Sequence, residues 1–97
     1  MTVAVELEFT GSTLEQYDQA LAKMGFVHGG SGGPGLLFHL VRKTDTGFHV
    51  TDVWESPEQF QSFAESTLGP VGMEVGMPNQ PTIEVHEIYN YLAQDRS

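Results

Sequence analysis

The chain contains no cysteine, which excludes disulfides, a thiolate nucleophile and a zinc–sulfur centre. Positive charge is scarce as well: four basic residues stand against thirteen acidic ones, for a net charge of −9. Only Arg42 and Lys43 are adjacent, whereas holding a phosphate backbone takes several clustered cations. Neither nucleic acid nor an anionic membrane surface is expected as a partner. No apolar run approaches the roughly 20 residues of a membrane span. Met1 to Phe9 alternates in polarity, where a secretory signal would carry a basic start and a continuous apolar stretch. A cytoplasmic location is the expectation. Apolar residues are also few, 39% of 97 positions, and a chain of this length buries only about 60–70% of its unfolded surface. The core is therefore thin, and burial against a partner subunit would add to it.

What the sequence does contain is clear periodicity. Val3, Val5, Leu7 and Phe9 alternate with smaller or acidic residues, the period of a strand with one apolar side. Gly11 breaks it, Ser12 and Glu15 fit a capping box, and Leu14, Tyr17, Leu21 and Met24 fall on one face of a helix that Gly25 closes. A glycine-rich loop follows. Leu36–Lys43 and Phe48–Glu55 flank Thr44-Asp45-Thr46-Gly47, which reads as a β-hairpin. The second strand would place Leu36, Phe38, Leu40 and Arg42 on one side, with Leu37, His39, Val41 and Lys43 on the other. Ser56-Pro57-Glu58-Gln59 opens a second helix, with serine as N-cap, proline at the first helical position and glutamine completing the box. Its buried stripe is Phe60, Phe63, Ala64 and Leu68, and Gly69-Pro70 ends or kinks it. Thr82 to Tyr91 reads as a fourth strand. Residues 1–92 are thus expected to form a single domain and 93–97 a tail. The order β-α-β-β-α-β predicts a ferredoxin-like α+β fold, a four-stranded antiparallel sheet with both helices on one face. Two bare sheet faces meeting would enclose a cavity, so a homodimer is expected.

Three groups of residues could carry chemistry. The loop His28-Gly29-Gly30-Ser31-Gly32-Gly33-Pro34-Gly35 follows a helix and precedes a strand, the reverse of a phosphate-binding loop. It reads as a linker or as the mouth of a cavity. The four histidines, His28, His39, His49 and His86, show neither His-x-His nor His-x-x-x-His spacing, so no metal site is expected. The third group is the hairpin itself. If Lys43 pairs with Phe48, His39 faces Asp52, beside Trp54 on the same side of the third strand. A carboxylate that orients a histidine makes it a better base; the alternative is a structural His–Asp pair with a core tryptophan. On the last strand His86 shares a side with Glu84, and Val85 shares the other with Ile83. Tyr17 lies on the helix stripe and reads as core.

Asp52-Val53-Trp54-Glu55-Ser56-Pro57-Glu58-Gln59-Phe60, followed by Phe63 and Leu68-Gly69-Pro70, resembles the antibiotic biosynthesis monooxygenase family of dimeric α/β-barrel proteins. There a Val-Trp-Glu-Ser segment ends the third strand and opens the second helix. Gly35-Leu36-Leu37-Phe38-His39 and Val85-His86 are similar to small bacterial members. The resemblance implies a dimeric α/β barrel and a small-molecule ligand. It also implies, for some members, oxygenation of polyketide phenols without metal or flavin, so no cofactor is expected. Other members degrade haem with an asparagine on the first strand, a tryptophan in the second helix and a histidine after it. Here Phe63 and approximately Met73 take the last two positions and the first strand has no asparagine, so that activity is not carried over. His39 and Asp52 are the expected catalytic pair, with Trp54, His86, Phe38 and Phe63 around the ligand. A non-catalytic small-molecule-binding protein using the same cavity is the alternative.

Overall fold

The computed structural model of the protein describes residues 1–92; the tail expected over 93–97 lies outside the described residues. The elements are β1 (Val3–Thr10), α1 (Leu14–Met24), β2 (Leu36–Lys43), β3 (Gly47–Trp54), α2 (Pro57–Phe63), a π-helical turn (Ala64–Leu68), α3 (Gly69–Glu74) and β4 (Thr82–Glu87). The strands make one antiparallel sheet in the order β2-β3-β1-β4. With helices on one face, this is the ferredoxin-like architecture that the element order predicts.

Alternation decides which face is buried. Val3, Val5, Leu7 and Phe9 of β1 are buried and stand opposite Trp54, Asp52, Val50 and Phe48 of β3. Residues opposite one another share a face, so these eight form the floor of the helix-covered side. Phe9 stacks on Phe48 with ring centroids 4.6 Å apart, and Phe60 of α2 meets Trp54 edge-on at 5.8 Å. A glycine closes the hairpin because a side chain at Gly47 would collide with the Phe9 carbonyl oxygen.

Four local readings need correction. The capping box of α1 sits one residue later than expected. The Thr13 hydroxyl accepts from the Gln16 N–H at 3.0 Å, and the Gln16 side chain accepts from the Thr13 N–H at 3.0 Å. The Gly11 N–H is tied to the Thr46 carbonyl at 2.7 Å, and Ser12 beside it is buried, its hydroxyl without a partner among the described residues. The second strand carries a bulge between Leu36 and Phe38, so that Leu36 stands opposite Trp54 and joins His39 on the helix side. The second helix does not end at Gly69-Pro70. Pro70 has no N–H to donate, and the helix passes it through a π turn in which the Gly69 N–H bonds to the Ala64 carbonyl. Finally, β4 ends at Glu87 rather than Tyr91, because β1 begins at Val3 and offers little beyond it; the Ile88 N–H still reaches the Thr2 carbonyl at 3.3 Å.

The expected start of α2 holds in its main features. Ser56 is the N-cap, accepting from the Gln59 N–H at 3.2 Å, with Pro57 at the start of the helix. The Gln59 side chain meets the Ser56 hydroxyl at 3.1 Å rather than its backbone N–H.

Candidate active site

The hairpin register brings His39 opposite Asp52, on the helix side of the sheet with Trp54. His39 Nδ1 lies 2.7 Å from Asp52 Oδ1, and Trp54 Nε1–H donates to Asp52 Oδ2 at 3.1 Å. Asp52 is 5% exposed and Trp54 1%. A carboxylate this deeply placed needs partners, and both of its oxygens have one. Tyr17, projecting from α1, completes the chain: its hydroxyl lies 2.6 Å from His39 Nε2. Its ring lies nearly parallel to the imidazole, end to end with it, the centroids 5.9 Å apart and the interplanar angle 7°, and meets Phe48 edge-on at 5.5 Å.

The proton positions in this chain follow from its chemistry. Indole N–H only donates and a carboxylate only accepts, so His39 presents Nδ1–H to Asp52. In the neutral imidazole Nε2 is then the acceptor, and the Tyr17 O–H donates to it. Burial, and then the Asp52 and Asp18 carboxylates, push the Tyr17 phenol above its ordinary range. The hydroxyl therefore keeps its proton at neutral pH and serves as a donor.

These groups line a cavity of about 670 Å³ between α1 and the sheet, within the range of small-molecule sites. Leu7, Phe9, Leu21, Met24, Val50, Leu68 and Met77 make up much of its apolar wall, and the loop from Val27 to Gly32 forms part of the boundary. The π turn helps shape it. Its bonding pattern brings residues five apart onto one side, and Phe63 and Leu68 both reach the cavity. Phe63 also leans on Trp54, with ring centroids 5.3 Å apart.

Of the residues singled out from the sequence, His39, Asp52, Trp54, Phe63 and Phe38 border this cavity, and His86 does not. His86 pairs with Ala4 on the uncovered face of the sheet, and among the described residues its side chain bonds to Glu84 alone, at 3.0 Å. This cavity lies on the helix-covered side of the sheet, within a single chain, and is distinct from the space expected between two paired sheet faces. Tyr17, read as core, is the residue the sequence reading missed. Helical spacing marks the face it occupies but carries no sign that its hydroxyl reaches β2.

The uncovered face has its own polar cluster. His49 is held between Glu6 at 2.7 Å and Glu8 at 2.8 Å, and Thr51 also donates to Glu6 at 2.7 Å. Hydrogen bonds to Glu6 and Glu8 raise the His49 pKa above the ordinary histidine value. For Glu6, burial works upward, but the bonds from His49 and Thr51 prevail and lower it; for Glu8, the bond from His49 lowers it against a smaller cost of burial. Beside this cluster, Phe38 and Leu40 of β2 stand exposed. Among the described residues there is no group of His, Cys, Asp and Glu placed to hold a metal ion, and no helix is long and apolar enough to cross a membrane.

Fold and cavity together define the class: a ferredoxin-like α+β chain with a small-molecule-sized chamber between sheet and first helix. Two solved structures share this fold over nearly their whole length. One is a protein of Deinococcus radiodurans, proposed to be an antibiotic biosynthesis monooxygenase; it is 14% identical, with a TM-score of 0.61, over 98% of this chain and 99% of that one. The other is the monooxygenase from the gene ActVA-Orf6 of Streptomyces coelicolor, in complex with the ligand nanaomycin D. It is 16% identical, with a TM-score of 0.52, over 97% of this chain and 92% of that one. At these identities the likeness establishes the fold that the junction motif implied. No protein-family model and no curated protein sequence matches the chain.

Proposed function

We propose that the protein is a cofactor-independent monooxygenase acting on a small aromatic or polyketide-like molecule, with Asp52, His39 and Tyr17 as its acid–base chain. The observation that carries this reading is the unbroken hydrogen-bonded series Tyr17–His39–Asp52–Trp54 on the wall of a cavity whose remaining lining is largely apolar, His28 and Ser31 of the loop apart. A histidine oriented by a buried carboxylate is the arrangement a proton-abstracting site needs. The sequence alone points to His39 as the group that meets the substrate; with its Nε2 engaged by Tyr17, the substrate proton instead passes to the Tyr17 oxygen as the tyrosyl proton moves to His39. The resulting phenolate carries the electron density that dioxygen takes up. For a simple phenol, one dioxygen adds, one water leaves and a quinone remains, with the proton on His39 returned to the departing hydroxide. Trp54 and Phe63 hold the ring, whereas Phe38, paired with Val53, turns its side chain to the uncovered face. The likeness to the Streptomyces coelicolor monooxygenase, solved in complex with nanaomycin D, supports this reading.

We place this activity in a cytoplasmic homodimer, with residues 1–92 acting as one domain. The exposed Phe38 and Leu40 and the polar cluster around His49 would form the contact, and His86 would belong to it rather than to the substrate site. The test is oxygen uptake with a panel of small polycyclic phenols. His39→Ala should lower turnover by a factor of about 10² or more while far-UV circular dichroism stays unchanged. Activity retained in that variant removes His39 from the mechanism. One observation favours a second reading, a non-catalytic binding protein: the base is capped by Tyr17 rather than open. Ligand-induced thermal stabilisation with no oxygen uptake across the panel would decide for it.

A further inference from the structure

The hydrogen-bonding capacity of the chain at the cavity wall is almost fully used. Trp54 Nε1–H and His39 Nδ1–H fill the two Asp52 oxygens, and the Tyr17 O–H fills His39 Nε2. Each of these groups has the direction of its bond fixed by its neighbour. What remains is the Tyr17 oxygen itself, which has given its only proton to His39 and keeps lone pairs for the cavity. A group approaching it must bring a hydrogen. A hydroxyl or N–H can do so; an ether, a ketone or a quinone oxygen presents lone pairs to lone pairs.

We infer that the cavity selects hydrogen-bond donors at Tyr17, admitting a phenolic hydroxyl and rejecting the corresponding ether or quinone. This rests on the proposed function in that it names the ligand class of the same site, and it adds a consequence. Oxidising a phenol to a quinone turns a donor into an acceptor, so the product loses the contact that held the substrate. The chamber would empty without any movement of the fold. Sites built to bond a ligand hydroxyl reject analogues lacking it more strongly than apolar pockets reject a change of shape.

The experiment is isothermal titration of the full chain with 2-naphthol, 2-methoxynaphthalene and 1,4-naphthoquinone at about pH 8, where free imidazole is neutral. 2-Naphthol should bind at least about tenfold tighter than either acceptor-only compound. In Tyr17→Phe, with folding checked by thermal unfolding, the naphthol and its ether should come within about threefold of each other. The comparison of ligands on the unaltered protein stands even if the variant fails to fold. Equal or tighter binding of the ether or the quinone overturns the inference, as does no binding by 2-naphthol or undiminished discrimination in a folded Tyr17→Phe. The two ideas fail separately. Naphthol selectivity without oxygen uptake leaves the donor rule standing and contradicts the oxygenase reading; oxygen uptake with indifferent binding does the reverse.

Discussion

Replacing Asp52 with asparagine should reverse both hydrogen bonds of His39, to residue 52 and to Tyr17, while leaving the fold in place. Asp52 is buried and accepts through both oxygens, from His39 and from Trp54. Asparagine has nearly the same shape but only one accepting oxygen, its other terminus being a donor. The indole N–H cannot accept, so the asparagine oxygen turns to Trp54 and the amide N–H faces His39 Nδ1. That nitrogen must then be the acceptor, which moves the ring proton to Nε2. Nε2–H donates to the Tyr17 oxygen, and the Tyr17 O–H is released toward the cavity. The charge-assisted bonds are replaced by neutral ones, a loss of about 1–3 kcal/mol. In a domain of this size each kcal/mol corresponds to roughly 4–8 °C in melting temperature. The assay is two-bond ¹H–¹⁵N correlation of the imidazole, with His39 assigned by its loss in His39→Gln. The unaltered protein should show the proton on Nδ1, and Asp52→Asn should show it on Nε2. A wild-type proton on Nε2, or the same tautomer in both proteins, would refute the reasoning. The ligand preference should follow the tautomer, with the ether of 2-naphthol binding at least as well as 2-naphthol in the variant.

Other expectations test separate parts of the structure. Leu7→Ala removes a fully buried side chain from the core and should cost about 2–5 kcal/mol, read from chemical denaturation. Thr13→Ala removes the cap of α1 and should cost about 1 kcal/mol, whereas Ser12→Ala, which deletes a buried hydroxyl with no partner among the described residues, should be neutral or stabilising by the same measurement. The His49 cluster limits stability at both ends of the pH scale. The raised His49 pKa contributes stability that is complete below the unfolded histidine value and is lost as pH climbs through the folded one. The lowered Glu6 and Glu8 values contribute stability present above the unfolded carboxylate value and lost as pH falls through the folded ones. His49→Gln should therefore flatten the alkaline side of a melting-temperature profile; an unchanged profile would mean the cluster is not formed in solution. The proposed dimer is tested by Leu40→Glu, on the uncovered face: the unaltered protein should sediment as a dimer and the variant as a monomer.

The parts of this molecule legible in its sequence are those written in local pattern. Alternation in Val3 to Phe9 marked the buried face of β1, and the Thr44–Gly47 turn set the hairpin register that joins His39 to Asp52. Ser56-Pro57 located the start of α2 because both residues act on backbone groups within the next turn. The cap of α1 was ambiguous, since Ser12 with Glu15 and Thr13 with Gln16 have the same spacing, and the choice is made by where Gly11 meets the hairpin. Tyr17 could not be recognised, because its bond to His39 spans 22 residues and exists only once α1 docks on the sheet. The chamber beneath α1 went unforeseen for a related reason. Alternation shows which residues turn inward, not whether the inward space is filled, and the residues around the chamber read as ordinary core. The π turn was hidden too, since Gly69-Pro70 signals a break and gives no sign that a wider turn can carry the helix past it.

The most direct measurement is a crystal structure with 2-naphthol bound. The hydroxyl should lie within hydrogen-bond distance of the Tyr17 oxygen, with the ring among Phe48, Phe63 and Trp54 in the chamber beneath α1. A ligand seated between the bare sheet faces of two copies, or one in the chamber with its hydroxyl turned away from Tyr17, would contradict the account.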